Sequence, residues 1–219
     1  GRHALRIVNY GRHPEADVRL VAYDAAQREV HAETGGRVVR YTLGAPGEHM
    51  ALNSLACVAA LEGLGLSLDI ALPMFSLFKP VAGRGSVSDL KIGEKQLRIV
   101  DEAYNANPAS MTAALSLIRE VEPPVANGRR VLILGDMLEL GPRSADLHAA
   151  LAESVQQAAP DLVLLCGSEM TNLQAQLHGA LPLHWFPDVD RLKEQLPGLL
   201  AHGDLALVKG SGGTRLGEL

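Results

Sequence analysis

A chain of 219 residues, 47% hydrophobic and 21% charged, has the composition of a globular protein with room for one large domain or two small ones. A net charge of −5 offers no basic field to a polyanion, and 4% aromatic content leaves little to stack on bases, which argues against a nucleic-acid partner. No uncharged apolar run approaches the about eighteen residues of a membrane span, and the opening GRHALRIVNYGRH lacks the apolar segment of a secretion signal. The chain does not start with Met and is read as a piece of something longer. Cys57 and Cys166 lie in apolar runs and read as buried thiols of a reducing compartment.

In chain order, the first elements read as strands. Val18, Leu20 and Ala22 alternate with other residues in DVRLVAYDA, and REVHAET and RVVRYTL flank the turn Gly35-Gly36, which predicts a meander. Residues 47–64 follow with Leu52, Leu55, Ala56 and Ala59 at helical spacing, and a second short helix is predicted around Asp69–Phe78, before Pro80. Residues 1–80 therefore read as the tail of an α/β domain, a sheet edge followed by covering helices. KPVAGRGSVSD, rich in Gly, Pro and Ser, reads as a linker or hinge.

Beyond it the pattern alternates strictly. Strands are predicted at 97–101, 130–135, 161–167, 181–186 and 204–210, with helices near 108–121, 144–158, 169–178 and 188–201. Apolar strands alternating with amphipathic helices predict a mostly parallel, Rossmann-like α/β sheet covered on both faces.

Ligands of such sheets sit at the carboxyl ends of the strands, here DEAYNANP, GDMLELG, GSEM and KGSGGTR. Asn107 at N-cap and Pro108 at N1 suit a helix start. Helix initiation leaves Asp101, Glu102, Tyr104 and Asn105 unexplained. Carboxylates at a strand end suit ribose hydroxyls, and Asn side chains hold a peptide backbone by donating and accepting together. His49 and Asn53 are i, i+4 on one helix face, where a surface pair is the simpler account. Arg84, between two glycines, is a forked cation where backbone can approach phosphate closely, though taken alone a solvated arginine in a flexible loop is the better account. KGSGGTR is not a phosphate loop of the GxxxxGK[ST] type, because Lys209 precedes the glycines. No GxGxxG follows a strand, which weakens a nicotinamide dehydrogenase reading, and the eight His show no metal-ligand spacing. Ser144 and His148 are accounted for by capping and a solvated helix face.

GEHMALNSLA, PVAGRGS, VDEAYNANPASMTAAL, RVLILGDMLELG with SADLH, and LVKGS, in this order and spacing, resemble the Mur ligase superfamily over nearly the whole chain. YNANP followed by GDMLELG resembles the branch that adds D-alanyl-D-alanine, whereas sister ligases and folylpolyglutamate synthetases carry other strings there. Three positions depart from the family pattern: Met50 after His49, Glu102-Ala103 for a second acid and serine, and Gly212 where an Arg commonly follows LVKGS, with Arg215 a few residues on.

The resemblance implies that residues 1–82 are the end of a central ATP-binding domain, 83–88 a hinge, and 89–219 the C-terminal Rossmann-like domain. The family's UDP-sugar domain, Walker A lysine, magnesium ligands and modified lysine have no counterpart in this sequence. The implied activity is ATP-dependent ligation of D-alanyl-D-alanine to UDP-N-acetylmuramoyl-tripeptide through an acyl phosphate, in the bacterial cytoplasm, by a monomer without a membrane partner. ATP and Mg2+ are the implied cofactors, with the metal ligands outside this chain. His49 and Asn53 would contact the nucleotide, Arg84 its phosphates, and Asp101 or Glu102 the ribose. Tyr104, Asn105 and Asn107 would hold the incoming dipeptide, and closure about the 80–88 hinge would assemble the site. The alternatives are a non-catalytic Rossmann-type binding module and another Mur or folylpolyglutamate-type ligase.

Overall fold

The computed structural model describes residues 7–219; residues 1–6, part of the stretch examined for a secretion signal, lie outside the described residues. The chain divides into two compact units, residues 1–79 and 80–219.

The first unit is a four-stranded sheet in the order β1-β2-β3-β4, from β1 (Tyr10–Gly11), β2 (Val18–Asp24), β3 (Glu29–Thr34) and β4 (Arg37–Thr42). β1 pairs parallel to β2 and the other pairs are antiparallel. Gly35 and Gly36 both take positive φ, +55° and +74°, the two-residue hairpin turn that matches strand twist. Val18, Leu20, Val30, Ala32, Val39 and Tyr41 form the buried face. Against them pack α1 (Glu48–Gly63), α2 (Leu68–Ala71) and a 3-10 helix (Leu72–Leu77) through Ala51, Leu55, Val58, Leu68 and Leu72.

Two expectations fail in this unit. A register shift between Leu20 and Ala22 leaves Ala22 exposed and brings Tyr23 half inward. The Tyr23 hydroxyl there accepts the Gly47 N–H at the start of α1, 3.0 Å. Cys57 is exposed, because α1 buries the face bearing Ala51, Leu55 and Val58 and turns Cys57 away.

The second unit is the expected Rossmann-like sheet. Its strands are β5 (Ser86–Ile92), β6 (Lys95–Glu102), β7 (Arg130–Gly135), β8 (Leu162–Cys166), β9 (Leu183–Phe186) and β10 (Leu205–Lys209). The spatial order is β5-β6-β10-β7-β8-β9, with β5 antiparallel to β6 and the remaining pairs parallel. Leu132 and Leu134 face a cluster built on α3 (Pro108–Glu120), α5 (Ala152–Gln157) and α6 (Met170–Leu177). Val131 and Ile133 face the opposite cluster with Val189 and Leu192 of α7 (Val189–Leu199). Burial on both faces is why β7, β8 and β10 read as unbroken apolar runs.

Two readings change here. The 80–88 stretch is not a free linker: β5 begins at Ser86, and Gly83 and Gly85 are hydrogen-bonded to β6 and the loop after it. The helix expected over 144–158 is two, α4 (Ser144–Ala149) and α5, separated at Ala150-Leu151. Among the described residues no helix is long and apolar enough to cross a membrane.

Candidate functional site

β10, last in chain order, lies between β6 and β7. Its end at Lys209 is registered with Glu102 on one side and Leu134 on the other. The loops DEAYNANP, KGSGG and GDMLEL therefore emerge side by side at the carboxyl edge of the sheet.

Asp101 and Glu102 end β6. The Asp101 carboxylate accepts the Gly83 N–H at 2.8 Å and the Ala103 N–H at 3.1 Å. Its backbone carbonyl accepts from Gly85 N at 2.8 Å, and Tyr104 N donates to the Gly83 carbonyl at 3.1 Å. Three of these hydrogen bonds strap the Gly83-Arg84-Gly85 turn to this loop, and the fourth, from Ala103, holds the Asp101 carboxylate in place. Both flanks favour glycine. Gly83 and Gly85 have φ of +78° and +87°, and a Cβ at either would lie 3.0 Å from Tyr104 Cβ or a Glu102 carboxylate oxygen. Arg84 between them is exposed, with its guanidinium 3.8 Å from the centroid of the Tyr104 ring. At an exposed site such a cation–π contact contributes about 0.5–1 kcal/mol, enough to bias the arginine's orientation while its N–H fork stays available.

Asn105 and Asn107 are both exposed. The Asn105 side-chain oxygen accepts from Ala106 N at 2.8 Å. Asn107 caps α3 as expected, in a reciprocal box with Ser110: its side-chain oxygen accepts from Ser110 N at 2.9 Å, and Ser110 Oγ accepts from Asn107 N at 3.0 Å. The cap explains Asn107's oxygen and leaves its amide hydrogens for other contacts.

Composition and spacing alone miss what lies beneath. Lys209 is 1% exposed and forms an ion pair with Glu102 at 3.6 Å. Burial pulls the Lys209 ammonium below its ordinary range while Glu102 draws it back. Burial likewise raises Glu102, against the pull of Lys209. Ser211 joins two loops: its N–H donates to the Asp136 carbonyl at 3.0 Å, and its Oγ accepts from Leu138 N at 2.9 Å.

His148 is fully buried, which corrects the reading of it as part of a solvated helix face. Its Nε2 accepts from Met137 N at 2.9 Å and its Nδ1 lies 2.8 Å from the Ser144 carbonyl, an arrangement that requires the neutral tautomer protonated at Nδ1. Asp136, 7% exposed, accepts from Met170 N at 2.9 Å and is raised above the usual carboxylate range by burial. The signal for Lys209 was a lysine ending an otherwise apolar strand, LALVK. His148 gave none, since its partner Met137 lies on another loop.

The remaining expected residues, His49 and Asn53, belong to the first unit. Asn53 is exposed on α1 and lines a cavity of about 540 Å³ with Met50, Cys57, Met74, Phe75 and Phe78. His49 is half-buried one turn earlier. Among the described residues no cluster of three or more His, Cys, Asp or Glu could hold a metal ion.

A mostly parallel, Rossmann-like sheet with Arg84, Asp101 and Glu102 at its carboxyl edge places the chain in the α/β class whose ligands bind at strand ends. Residues 89–212 match the Mur ligase, glutamate ligase domain, and the chain belongs to this family. It is 26% identical over 215 residues to the UDP-N-acetylmuramoyl-tripeptide–D-alanyl-D-alanine ligase of Rickettsia prowazekii, covering 97% of this chain and 46% of that protein. To the Escherichia coli enzyme of the same name it is 37% identical over 124 residues, 57% of this chain and 26% of that one. The solved MurF ligase of Thermotoga maritima in complex with ADP shares the fold at a TM-score of 0.73 and 24% identity, over 94% of this chain and 45% of that one. The chain thus spans about half the length of the relatives it matches.

Proposed function

We propose that this chain supplies the nucleotide- and amine-binding portion of an ATP-dependent ligase that joins D-alanyl-D-alanine to UDP-N-acetylmuramoyl-tripeptide. The first unit is read as the end of the central ATP-binding domain and the second as the C-terminal domain. ATP supplies the activation that an unreactive carboxylate needs before an amine can displace oxygen from it. The chain's own residues bind and orient. The apolar cavity beside Asn53 fits a flat base, whose polar edge the Asn53 amide can both donate to and accept from. His49, one turn earlier on the same helix, is assigned to the nucleotide on the family resemblance. Arg84, fixed by the strapped turn and by Tyr104, presents its fork to phosphate oxygens.

Asp101 is read as the ribose ligand. Glu102 is committed to Lys209, whereas Asp101 uses its carboxylate only for two backbone N–H groups, and each carboxylate oxygen accepts more than one bond. Asn105 and Asn107, with their oxygens turned to the loop, keep amide hydrogens for the dipeptide. Mg2+ would be held by residues outside this chain.

The observation that carries this proposal is the strapping of Arg84 onto the carboxylate loop at the strand ends, which brings a cation, a carboxylate and two amides to one edge. The experiment is phosphate release from Mg-ATP by the whole protein, with and without each acceptor. Release that requires both UDP-N-acetylmuramoyl-tripeptide and D-alanyl-D-alanine is expected. Release indifferent to the dipeptide, or absent altogether, overturns the proposal.

A further inference from the structure

The sheet is closed at the base of the 101–107 loop by a buried ammonium. Lys209 stands at the end of β10, and its three N–H donors meet three oxygens: the Asn105 carbonyl at 2.9 Å, the Glu102 carbonyl at 3.4 Å and the Glu102 carboxylate at 3.6 Å. Two of the three belong to the backbone of one loop, on either side of Ala103 and Tyr104. The fold alone does not call for a charge here, because apolar residues of similar volume commonly replace a buried ion pair without loss of stability. An apolar side chain, however, would leave the carbonyls of Glu102 and Asn105 without their donor. The loop's outer side carries Tyr104 and Asn105, both exposed, and Tyr104 in turn carries Arg84.

We infer that Lys209 is a positioning residue for the ligation, setting the path of the Asp101–Asn107 loop from below through two backbone carbonyls so that Asn105 meets the incoming amine substrate. This inference rests on the reading of that loop as the dipeptide-binding element. Glu102 has a separate part: it balances the buried charge and leaves the clamp to the ammonium. The ion pair and the clamp can therefore be separated by substitution.

The test compares Glu102→Gln with the double variant E102Q/K209M. Both lack the carboxylate, and they differ in the donors to the two carbonyls. The first readout needs no substrate. The amides of Ala103, Tyr104, Ala106 and Asn107 each donate to a partner within or beside the loop, at 3.1, 3.1, 2.8 and 3.0 Å. In the 219-residue chain their hydrogen exchange should be about tenfold faster in the double variant than in E102Q, equivalent to about 1.4 kcal/mol of local opening, with unchanged melting temperature. In the whole enzyme the KM for D-alanyl-D-alanine should rise about tenfold from E102Q to the double variant, while the ATP KM stays within about twofold. Lys209→Gln in the same background, which keeps one amide donor on a shorter stem, should fall between the two and serves in place of the double variant if that does not fold.

Equal exchange rates in E102Q and E102Q/K209M overturn the inference, as does an unchanged dipeptide KM in an enzyme that shows dipeptide-dependent turnover. Faster loop exchange in a whole protein without any dipeptide-dependent turnover upholds the clamp and sinks the functional reading instead.

Discussion

Arg84 illustrates how little of a side chain's role lies in its charge. Its guanidinium lies over Tyr104 on a turn whose positive φ favours glycine on either side. Arg84→Lys preserves the charge and loses the planar fork. Turnover of the whole enzyme should fall ten- to a hundredfold, from the loss of about 1.5–3 kcal/mol of charge-assisted bonding, and steady-state kinetics against ATP reads it directly. Asp136 makes a different prediction. Burial raises its carboxyl above the ordinary 3.8, so the folded chain holds this proton more tightly than the unfolded one. Stability from this group is present at low pH and is lost as pH rises from the ordinary value through the raised one. Asp136→Asn removes that dependence. Urea unfolding of the two chains at a series of pH values should show the gap moving in the asparagine variant's favour as pH increases through this window, and a gap independent of pH would refute it.

At the scale of elements, the cap of α3 is shared between architecture and the proposed dipeptide contact. Asn107→Ala should cost about 1 kcal/mol of stability through the lost cap, measured by denaturant unfolding, and should also raise the dipeptide requirement. Asn105→Ala should raise that requirement alone, because the Asn105 side chain accepts from its neighbour Ala106 and caps no helix, while the backbone carbonyl that meets Lys209 is kept. The doubly buried strands β7, β8 and β10 were legible because water touches neither face, so residues 131–134, 162–166 and 205–208 are all apolar. β5 was not. It is an edge strand whose residues are largely exposed, and polar residues after a Gly-rich turn read as linker. The break between α4 and α5 was equally silent, since Ala150 and Leu151 are good helix formers and keep right-handed helical dihedrals across it. DEAYNANP announced itself by polar residues that helix initiation alone leaves unexplained. Lys209 showed only as a charge ending an apolar strand and His148 not at all, because their partners lie about a hundred residues away or on another loop, where only the assembled sheet brings them together.

For the molecule as a whole, the assignments divide between two units, with Asn53 on one and Arg84 and Asp101 on the other. The chain carries no GxxxxGK[ST] loop, so a triphosphate would lack the cradle that supplies most of its charge-assisted bonds. Calorimetry of the 219-residue chain with Mg-ATP should therefore find millimolar binding or weaker, and no phosphate release with D-alanyl-D-alanine. Micromolar affinity would contradict this. The sheet order has a kinetic consequence as well. β10 is made last but must enter between β6 and β7, so those two strands leave the ribosome with facing rows of backbone donors and acceptors still open. A nascent chain stalled before Leu205 holds two unpaired edges and no ammonium beneath the 101–107 loop, which makes it a substrate for chaperones and for edge-to-edge aggregation. The strand that brings the ammonium beneath the 101–107 loop is thus also the one that closes both open edges.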